Sequence, residues 1–467
     1  MPFGVPLSTE NRWVQLARIM PWGRIDSLYS ASFDGTNGQV AKPSRLAFGA
    51  LYIQGRLAIT DEETVNQIRE NPSMQYFCGI ESYTTEKPFD SSLMVHFRKR
   101  LTAEMMKAIT EEAFAAEAKK AIDRERDDDD DDGGSSAGTD SGEGRGEGGD
   151  SKPKGTMLLD ATCCPSDIHY PTDINLLSKA RELTEQIIDE LHSQPSQRGI
   201  EKPRTYRIVA RKDYLGFAKR RKYTHSQLRL AKRQQLQYIR RNLESIDRQI
   251  AQGANVKGMR SDLQEKLPVI AELYSQQKQM YDERAHKVEN RIVSISQPHI
   301  RPIVRGKANA PVEFGAKVAT ARIGGFTFVI HMDYENYSEA KYLKASAEEY
   351  KRIFGFYPKA IIGDKLYGTR ENRDYCKSRG IRLSAPKLGR KTDEAKEAER
   401  EQAYQDSCER NAIEGDYGVV KRKYGLDRVM AKLHGTGLTA ISFGFFVKNM
   451  ERLRATLEAK PKHSGNL

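Results

Sequence analysis

The sequence predicts an α/β protein: a mixed sheet interrupted by a long helical-hairpin insertion and preceded by an all-α N-terminal segment. Three observations predict it. Residues 1 to about 120 carry helix-opening signals and apolar stripes at helical spacing. Residues 211–290 hold two long apolar stripes joined by a glycine-containing turn. Before and after them, short runs rich in β-branched and aromatic residues alternate with helical stretches, the order of a layered α/β domain.

In the N-terminal segment, Trp13, Leu16, Ile19 and Met20 form an apolar stripe ahead of Pro21. Pro43 and Ser44 open a stretch containing Leu46, Leu51 and Ile53, and Thr60 with Glu63 makes a capping box ahead of Val65 and Ile68. Short helices with turns between them suit a helix-turn-helix-like DNA-binding module and a plain bundle equally. This domain is expected over 1–122. Residues 123–154 follow as an acidic, Gly/Ser-rich linker with six consecutive aspartates, Asp127 to Asp132. Such a segment cannot bury apolar surface and is expected to be disordered.

Residues 155–458 are expected to form one domain, with 459–467 as a tail. MLLDAT reads as a buried strand ending in Asp160, and residues 174–192 as an amphipathic helix. Within the insertion, Leu236, Ile239, Leu243, Ile246 and Ile250 recur at spacings of three and four. After QGANVKG the stripe resumes at Met259, Leu263, Leu267, Ile270 and Tyr274, predicting an antiparallel helical hairpin. RIVSIS, RPIVRG, VEFGAKVAT and GGFTFVIHM then read as strands, with Gly324-Gly325 as a hairpin turn. A helix is expected at about 338–354, a strand in PKAIIGD ending in Asp364, a helix at 367–379 and a short strand in IRLSAP. Residues 394–424 read as mostly helical. A last helix at 438–458 would contribute Leu438, Ile441, Phe445 and Met450 to the core.

The formal net charge is +12. Asp123 to Asp150 holds twelve acids against three bases, −9, which leaves the rest of the chain at +21. That excess attracts nucleic acid or an anionic membrane without regard to sequence. No apolar run approaches the roughly 20 residues that cross a bilayer, and MPFGVPLSTENRW lacks the layout of a signal peptide. Five cysteines show no zinc spacing and read as reduced thiols. A basic cytoplasmic, nucleoid-associated protein that binds nucleic acid and no membrane is the expectation. Residues 211–250 carry twelve Lys/Arg against three acids. One-sided charge of that kind favours an arm tracking a DNA backbone over a solvated coiled-coil face.

Asp160 and Asp364 end predicted strands, and Glu414 lies on a predicted helix in RNAIEGDYGVVKRKYGL. Arg410 stands four residues before Glu414 and Lys421 seven after it, so the three share one helical stripe. Acids at the carboxyl ends of neighbouring strands project into the crevice where α/β sheets bind ligands. Three carboxylates converging there need cations to stay ionised. Two Mg²⁺ ions, with Mn²⁺ as substitute, suit hard oxygen donors and support in-line attack on a phosphodiester. Asp167, Asp173, Asp333, Glu335 and Asp416 are competing acids that spacing does not exclude. Tyr367, Asn372 and Arg373, after Asp364, and Arg305 and Lys307, in RPIVRGKANAP, are candidate DNA-facing residues.

At these residues the chain resembles the DDE transposases of bacterial insertion sequences, most closely the insertion sequence five group within the insertion sequence four superfamily. That group's third-acid signature is Tyr, two residues, Arg, three residues, Glu, six residues, Lys. Arg410, Glu414 and Lys421 match it, while Ser407 stands at the tyrosine place. LLDATCCPSDIHYPTDINLL resembles the family's first-aspartate segment and GDKLYGTRENRDYCKSRGI its second. The similarity runs from about Trp13 to about Leu453, leaving out the acidic linker. It implies an RNase H-like core, Asp160, Asp364 and Glu414 as a metal-binding catalytic triad, and Arg410 and Lys421 near DNA phosphates. It further implies cleavage at terminal inverted repeats, strand transfer into target DNA, and a homodimer on paired ends. A hydrolytic nuclease with the same core and a non-catalytic DNA-binding derivative are the alternatives.

Overall fold

Side-chain caps divide the N-terminal segment into short helices. The Asn11 side chain accepts from the Trp13 amide to open α1 (Arg12–Ile19), and α2 (Trp22–Ser30) begins just past Pro21. Pro43 precedes α3 (Ser44–Leu57), and Thr60 opens α4 (Asp61–Glu70) by accepting from the Glu63 amide. Asn71 caps α5 (Pro72–Phe77); α6 (Leu93–Arg100) and α7 (Ala103–Asp130) follow. α7 runs through the boundary expected at 122, because Met106, Ile109, Phe114, Ala118 and Ile122 form one buried stripe along it.

The computed structural model describes residues 6–33, 41–130, 152–304, 312–385 and 393–459. Most of the acidic linker, together with Arg305 and Lys307, therefore lies outside the described residues. The chain divides into two units. One comprises Met1–Pro165, Ala316–Asp333 and Tyr337–Leu467, the other Ser166–Gly315 and Tyr334–Asn336.

In the first unit, β1 (Thr156–Pro165) follows the N-terminal helices. Asp160 does not end it, contrary to expectation. The strand continues for five residues, because Ala161, Thr162, Cys163 and Cys164 are also buried.

The second unit is built on helices. α8 (Asp173–His192), α9 (Arg207–Ala218), α10 (His225–Ala251) and α11 (Ser261–Asp282) occur in that order. Leu177, Leu183 and Ile187 of α8 share a core with Leu236, Ile239 and Ile246 of α10 and with Leu263, Ile270 and Leu273 of α11. The expected hairpin thus buries its apolar stripe against a third helix that precedes it. RIVSIS forms no strand: Ile292 and Ile295 join that helical core, and the Ile292 amide donates to the Gln276 side chain (2.9 Å). Its apolar side chains and the Ile292 amide find partners without a neighbouring strand. β2 (Pro302–Val304) pairs antiparallel with the first residues of β3 (Val312–Ile323). Where the chain enters and leaves the unit, the Ser166 amide donates to the Phe314 carbonyl (2.9 Å).

Back in the first unit, β3 turns at Gly324-Gly325 into antiparallel β4 (Phe326–Asp333). Both glycines have positive φ, 55° and 87°, which a two-residue hairpin of matching twist requires. α12 (Leu343–Phe354), β5 (Ala360–Ile362), α13 (Arg370–Ser378) and β6 (Arg382–Leu383) follow, then α14 (Asp393–Tyr424) and α15 (His434–Ala459). β1, β5 and β6 are parallel, β3 lies on the other side of β1, and β4 lies beyond β3. The sheet is mixed, as expected. α15 is the centre of the unit's core: Phe446 meets Phe48, Tyr52 and Phe114, while Phe443 lies 4.9 Å from Phe48. Phe114 of α7 stacks on Phe326 of β4 (5.3 Å, 18°). The N-terminal helices and the sheet therefore share one apolar interior.

Candidate active site

Two of the three candidate acids are set by strand register. β1 pairs in parallel with β5 through Thr156↔Ala360, Met157↔Ile361 and Leu158↔Ile362. Asp160 stands two residues past the last of these pairs on one strand, and Asp364 two residues past it on the other. The register thus places Asp160 and Asp364 at matching positions, each two residues past the end of the β1–β5 ladder. Asp364 also opens a 3-10 turn, Lys365–Tyr367, by accepting from the Lys365 amide.

Asp160 is half-buried, and its Oδ1 accepts from the Ala161 amide (2.8 Å). Burial pushes its carboxyl up to about 6; the Ala161 amide and the Arg410 guanidinium oppose the shift, while Glu339 and Glu414 reinforce it. Asp160 therefore lies within the fields of Arg410 and of two other carboxylates, one of them the third candidate acid.

Glu414 is held in place by its helix. The inner face of α14 buries Asp406, Ile413, Tyr417, Val420 and Tyr424. At one point Arg382 of β6 donates both guanidinium arms to Asp406 (2.9 Å each). Ten residues on, Asp416 accepts from Lys448 of α15 (2.6 Å), Arg322 of β3 (3.1 Å) and the Thr327 hydroxyl (2.8 Å). Glu414 lies between these anchors on the outer face, its side chain 60% exposed and 3.9 Å from Arg410. Arg410, Glu414 and Lys421 share the stripe that the spacing predicts, with Arg410 and Lys421 half-buried.

Two neighbours of Asp160 are absent from the sequence reading. Glu339, in the 3-10 turn Glu339–Tyr342, pairs with Lys317 of β3 at 2.9 Å, both side chains under 15% exposed. Tyr417, three residues past Glu414, is buried with its hydroxyl 2.8 Å from that of Thr320. Burial, then Asp160, hold its pKa well above the usual phenol value. The one available signal for this group was Lys317 itself, a cation among Ala316, Val318 and Ala319 on a strand that is otherwise apolar there.

Other candidate residues fall elsewhere. Tyr367 and Asn372 are buried, 2% and 4% exposed, so neither faces DNA. Asn372 donates to the carbonyls of Ala340 and Tyr367 (3.0 Å each) and braces the loop after Asp364. Arg373 is half-buried, and its Nε donates to the Gly368 carbonyl (2.9 Å), so it too serves that loop. Among the competing acids, Asp173 is taken up by Lys232 and Arg291 within the second unit, and Asp416 by Lys448 and Arg322. A cavity of about 500 Å³ in the first unit is lined by Met106, Phe328, Ile330, Tyr350 and Phe445 among others. It is mainly apolar, and none of the three candidate acids lines it.

Among the described residues, no group of three or more His, Cys, Asp or Glu side chains is gathered in metal-holding geometry. The chemistry of the donors nevertheless suits a divalent cation. Asp160 is desolvated and further raised by two carboxylates, a local excess of negative charge carried on hard oxygen donors.

Residues 5–100 match the family described as "Transposase domain (DUF772)", and residues 361–451 match "Transposase DDE domain". The second match begins in β5, takes in Asp364, Arg410, Glu414 and Lys421, and ends in α15; Asp160 lies before it. A Rhizobium meliloti protein described as "Uncharacterized protein ORF8 in nfe locus" is 27% identical over 217 residues, 46% of this chain and 85% of that protein. No solved structure matches. The chain is thus similar to one transposase family over its N-terminal helices and to the transposase DDE-domain family over the segment that carries two of its candidate acids.

Proposed function

We propose that this protein is an insertion-sequence transposase that binds terminal inverted repeats, cleaves the DNA to free 3′-hydroxyls and joins them to a target duplex. Asp160, Asp364 and Glu414 are its catalytic carboxylates. The observation that carries this reading is the shared register of Asp160 and Asp364 past the β1–β5 ladder, with the charge of Glu414 felt at Asp160. The mixed sheet, with β3 and β4 antiparallel and β1, β5 and β6 parallel, supports an RNase H-like core with the second unit as its insertion.

The three carboxylates would hold Mg²⁺, or Mn²⁺ in its place, which when bound neutralises charge as phosphoryl transfer proceeds. The chain's own residues do the positioning. Glu414 is solvent-exposed on an anchored helix and can meet a bound strand. Arg410 and Lys421, on the same stripe, hold phosphate oxygens by charge. Ser407, at the signature's tyrosine place, supplies a hydroxyl without a ring. A homodimer on paired transposon ends is part of the same reading.

Asp364→Asn tests it on cut transposon ends with target plasmid and Mg²⁺. Cleavage and joining should both vanish while end binding persists. Cleavage that survives the substitution sinks the triad. Wild-type protein that cleaves but never joins is a hydrolytic nuclease.

A further inference from the structure

We propose that the exposed stripe of α9, with the turn that follows it, is a separate surface of the second unit that grips duplex DNA by its phosphates without reading sequence. The inference rests on the transposase reading above for its partner and on the following observations for its place.

α9 buries only Ala210. Ile208, Arg211, Lys212, Leu215 and Lys219 recur at three- and four-residue intervals and therefore share one face. With Gly216 they line a shallow open depression. Ile208 is 82% exposed, with no helix packed on it. The chain then turns through Arg220, Arg221 and Lys222, all exposed, into α10, where Arg233 is exposed as well.

The charge is lopsided in a way that stability does not explain. Residues 202–241 contain fourteen Lys/Arg and a single acid, Asp213. That acid accepts from the Tyr238 hydroxyl (2.9 Å). Four of the fourteen are paired with acids outside that stretch: Lys202 and Arg207 with Asp189, Lys232 with Asp173 and Arg240 with Glu244. Among the described residues, Arg211, Lys212, Lys219, Arg221, Lys222 and Arg233 have no carboxylate within ion-pair distance. Like charges packed one turn apart on a helix repel. An arrangement that costs the free protein stability is relieved when an anion covers it.

Gly216 adds a second argument. A glycine inside a helix costs about 1 kcal/mol relative to alanine, and a Cβ there would meet nothing within 4 Å. Packing within the protein does not call for a glycine at this position. A close outside approach to the backbone does.

The stripe's chemistry selects among anionic partners. Its polar side chains are all Lys and Arg, so its charge attracts phosphates whatever the base sequence, and a comparison of two unrelated duplexes separates that from Arg or Lys reading guanine edges. Two isolated aliphatic side chains among cations do not make the continuous apolar face that inserts into a membrane; they can lie against deoxyribose.

The test is the salt dependence of binding by the full chain. In Arg211→Ala/Lys212→Ala/Lys219→Ala/Arg221→Ala/Lys222→Ala, five exposed cations are lost and no core contact is touched. Fluorescence anisotropy with two unrelated duplexes should show log K against log[NaCl] flattening by about 4 to 5 relative to wild type, equally for both. A charge-preserving set, with Arg and Lys exchanged at the five positions, should restore the wild-type slope. Circular dichroism of the alanine set should match wild type; a folding defect would instead show there and persist in the charge-preserving set. An unchanged slope overturns the proposal. So does a change confined to one duplex, or an unchanged DNA slope with lost binding to phosphatidylserine vesicles, which would make the surface a membrane contact. Asp364→Asn keeps the two readings apart: if it abolishes cleavage while the five-residue set leaves the slope unaltered, only the α9 surface falls. If Asp364→Asn still cleaves, the triad falls whatever the slope does.

Discussion

Burial holds the Asp160 carboxyl near 6, so the folded chain keeps a proton that the unfolded chain releases. The sign follows. Below about pH 4 both states are protonated and the group contributes nothing; between about pH 4 and 6 the unfolded chain ionises first and stability falls, and above about 6 the full cost of ionisation in a desolvated place remains. The cost at neutral pH is on the order of 2–3 kcal/mol without a cation. Asp160→Asn should therefore raise the urea midpoint of the metal-free protein at about pH 7.5 and leave it unmoved at about pH 4. An equal rise at both pH values would mean that ionisation is not the cause. At this scale the sequence is informative about chemistry and poor about surroundings. Asp160, Asp364 and Glu414 could be picked because their type and spacing carry a pattern. Glu339 and Tyr417 could not: each reaches Asp160 through a separate element, and nothing local marks them. Tyr367 and Asn372 misled for the same reason, since polar residues after a candidate acid look solvent-facing until the loop folds over them.

Among the elements, α14 shows how a helix can be fixed on one face so that the other stays free for chemistry. Its two anchors bracket Arg410 and Glu414. The Asp416 anchor is the costlier one to break, because Lys448 is only 7% exposed and depends on it. Burial pulls Lys448 down to about 8 even with Asp416 beside it. Asp416→Ala should cost about 3–5 kcal/mol, since it strands a buried ammonium. Asp416→Ala with Lys448→Met should recover most of that loss in urea titrations; a double variant no better than the single one would show that the pair's charge is not what matters. The pair of Arg410 and Glu414, at 3.9 Å and with Glu414 60% exposed, contributes under about 1 kcal/mol. α14, the β3–β4 hairpin and α15 were all legible, because period and turn chemistry agree with their tertiary setting. RIVSIS was not, since a β-branched run can fill a helical core as readily as a sheet.

For the whole molecule, the shared interior of the first unit matters most. The chain's two tryptophans, Trp13 and Trp22, both lie in the N-terminal helices, while Phe446 lies on α15. The rings of Phe48 and Tyr52 connect them. Phe446→Ala should cost about 3–5 kcal/mol and shift the tryptophan-fluorescence unfolding transition, although the substitution is far away in sequence. A tryptophan transition that stays put would show that the N-terminal helices unfold independently. Composition alone made the acidic linker and the basic remainder plain. It could not show that the helices at the two ends of the chain would share one core, because that depends on contacts between aromatic rings hundreds of residues apart.

The hydrogen bond between the Ser166 amide and the Phe314 carbonyl bears on how the chain reaches this state. β1 and β3 are neighbours in the sheet, yet residues 166–315 separate them. Closing an unstructured loop of that length costs on the order of 4 kcal/mol in chain entropy, and pairings so distant in sequence form slowly. Once the second unit has folded, its two ends stand one hydrogen bond apart. For the sheet it then acts as a tight turn, and a long-range pairing becomes a local one. The expected order is helices of the second unit first and β1 against β3 next, so amides of α8 and α10 should gain protection before those of β1 in pulse-labelled refolding.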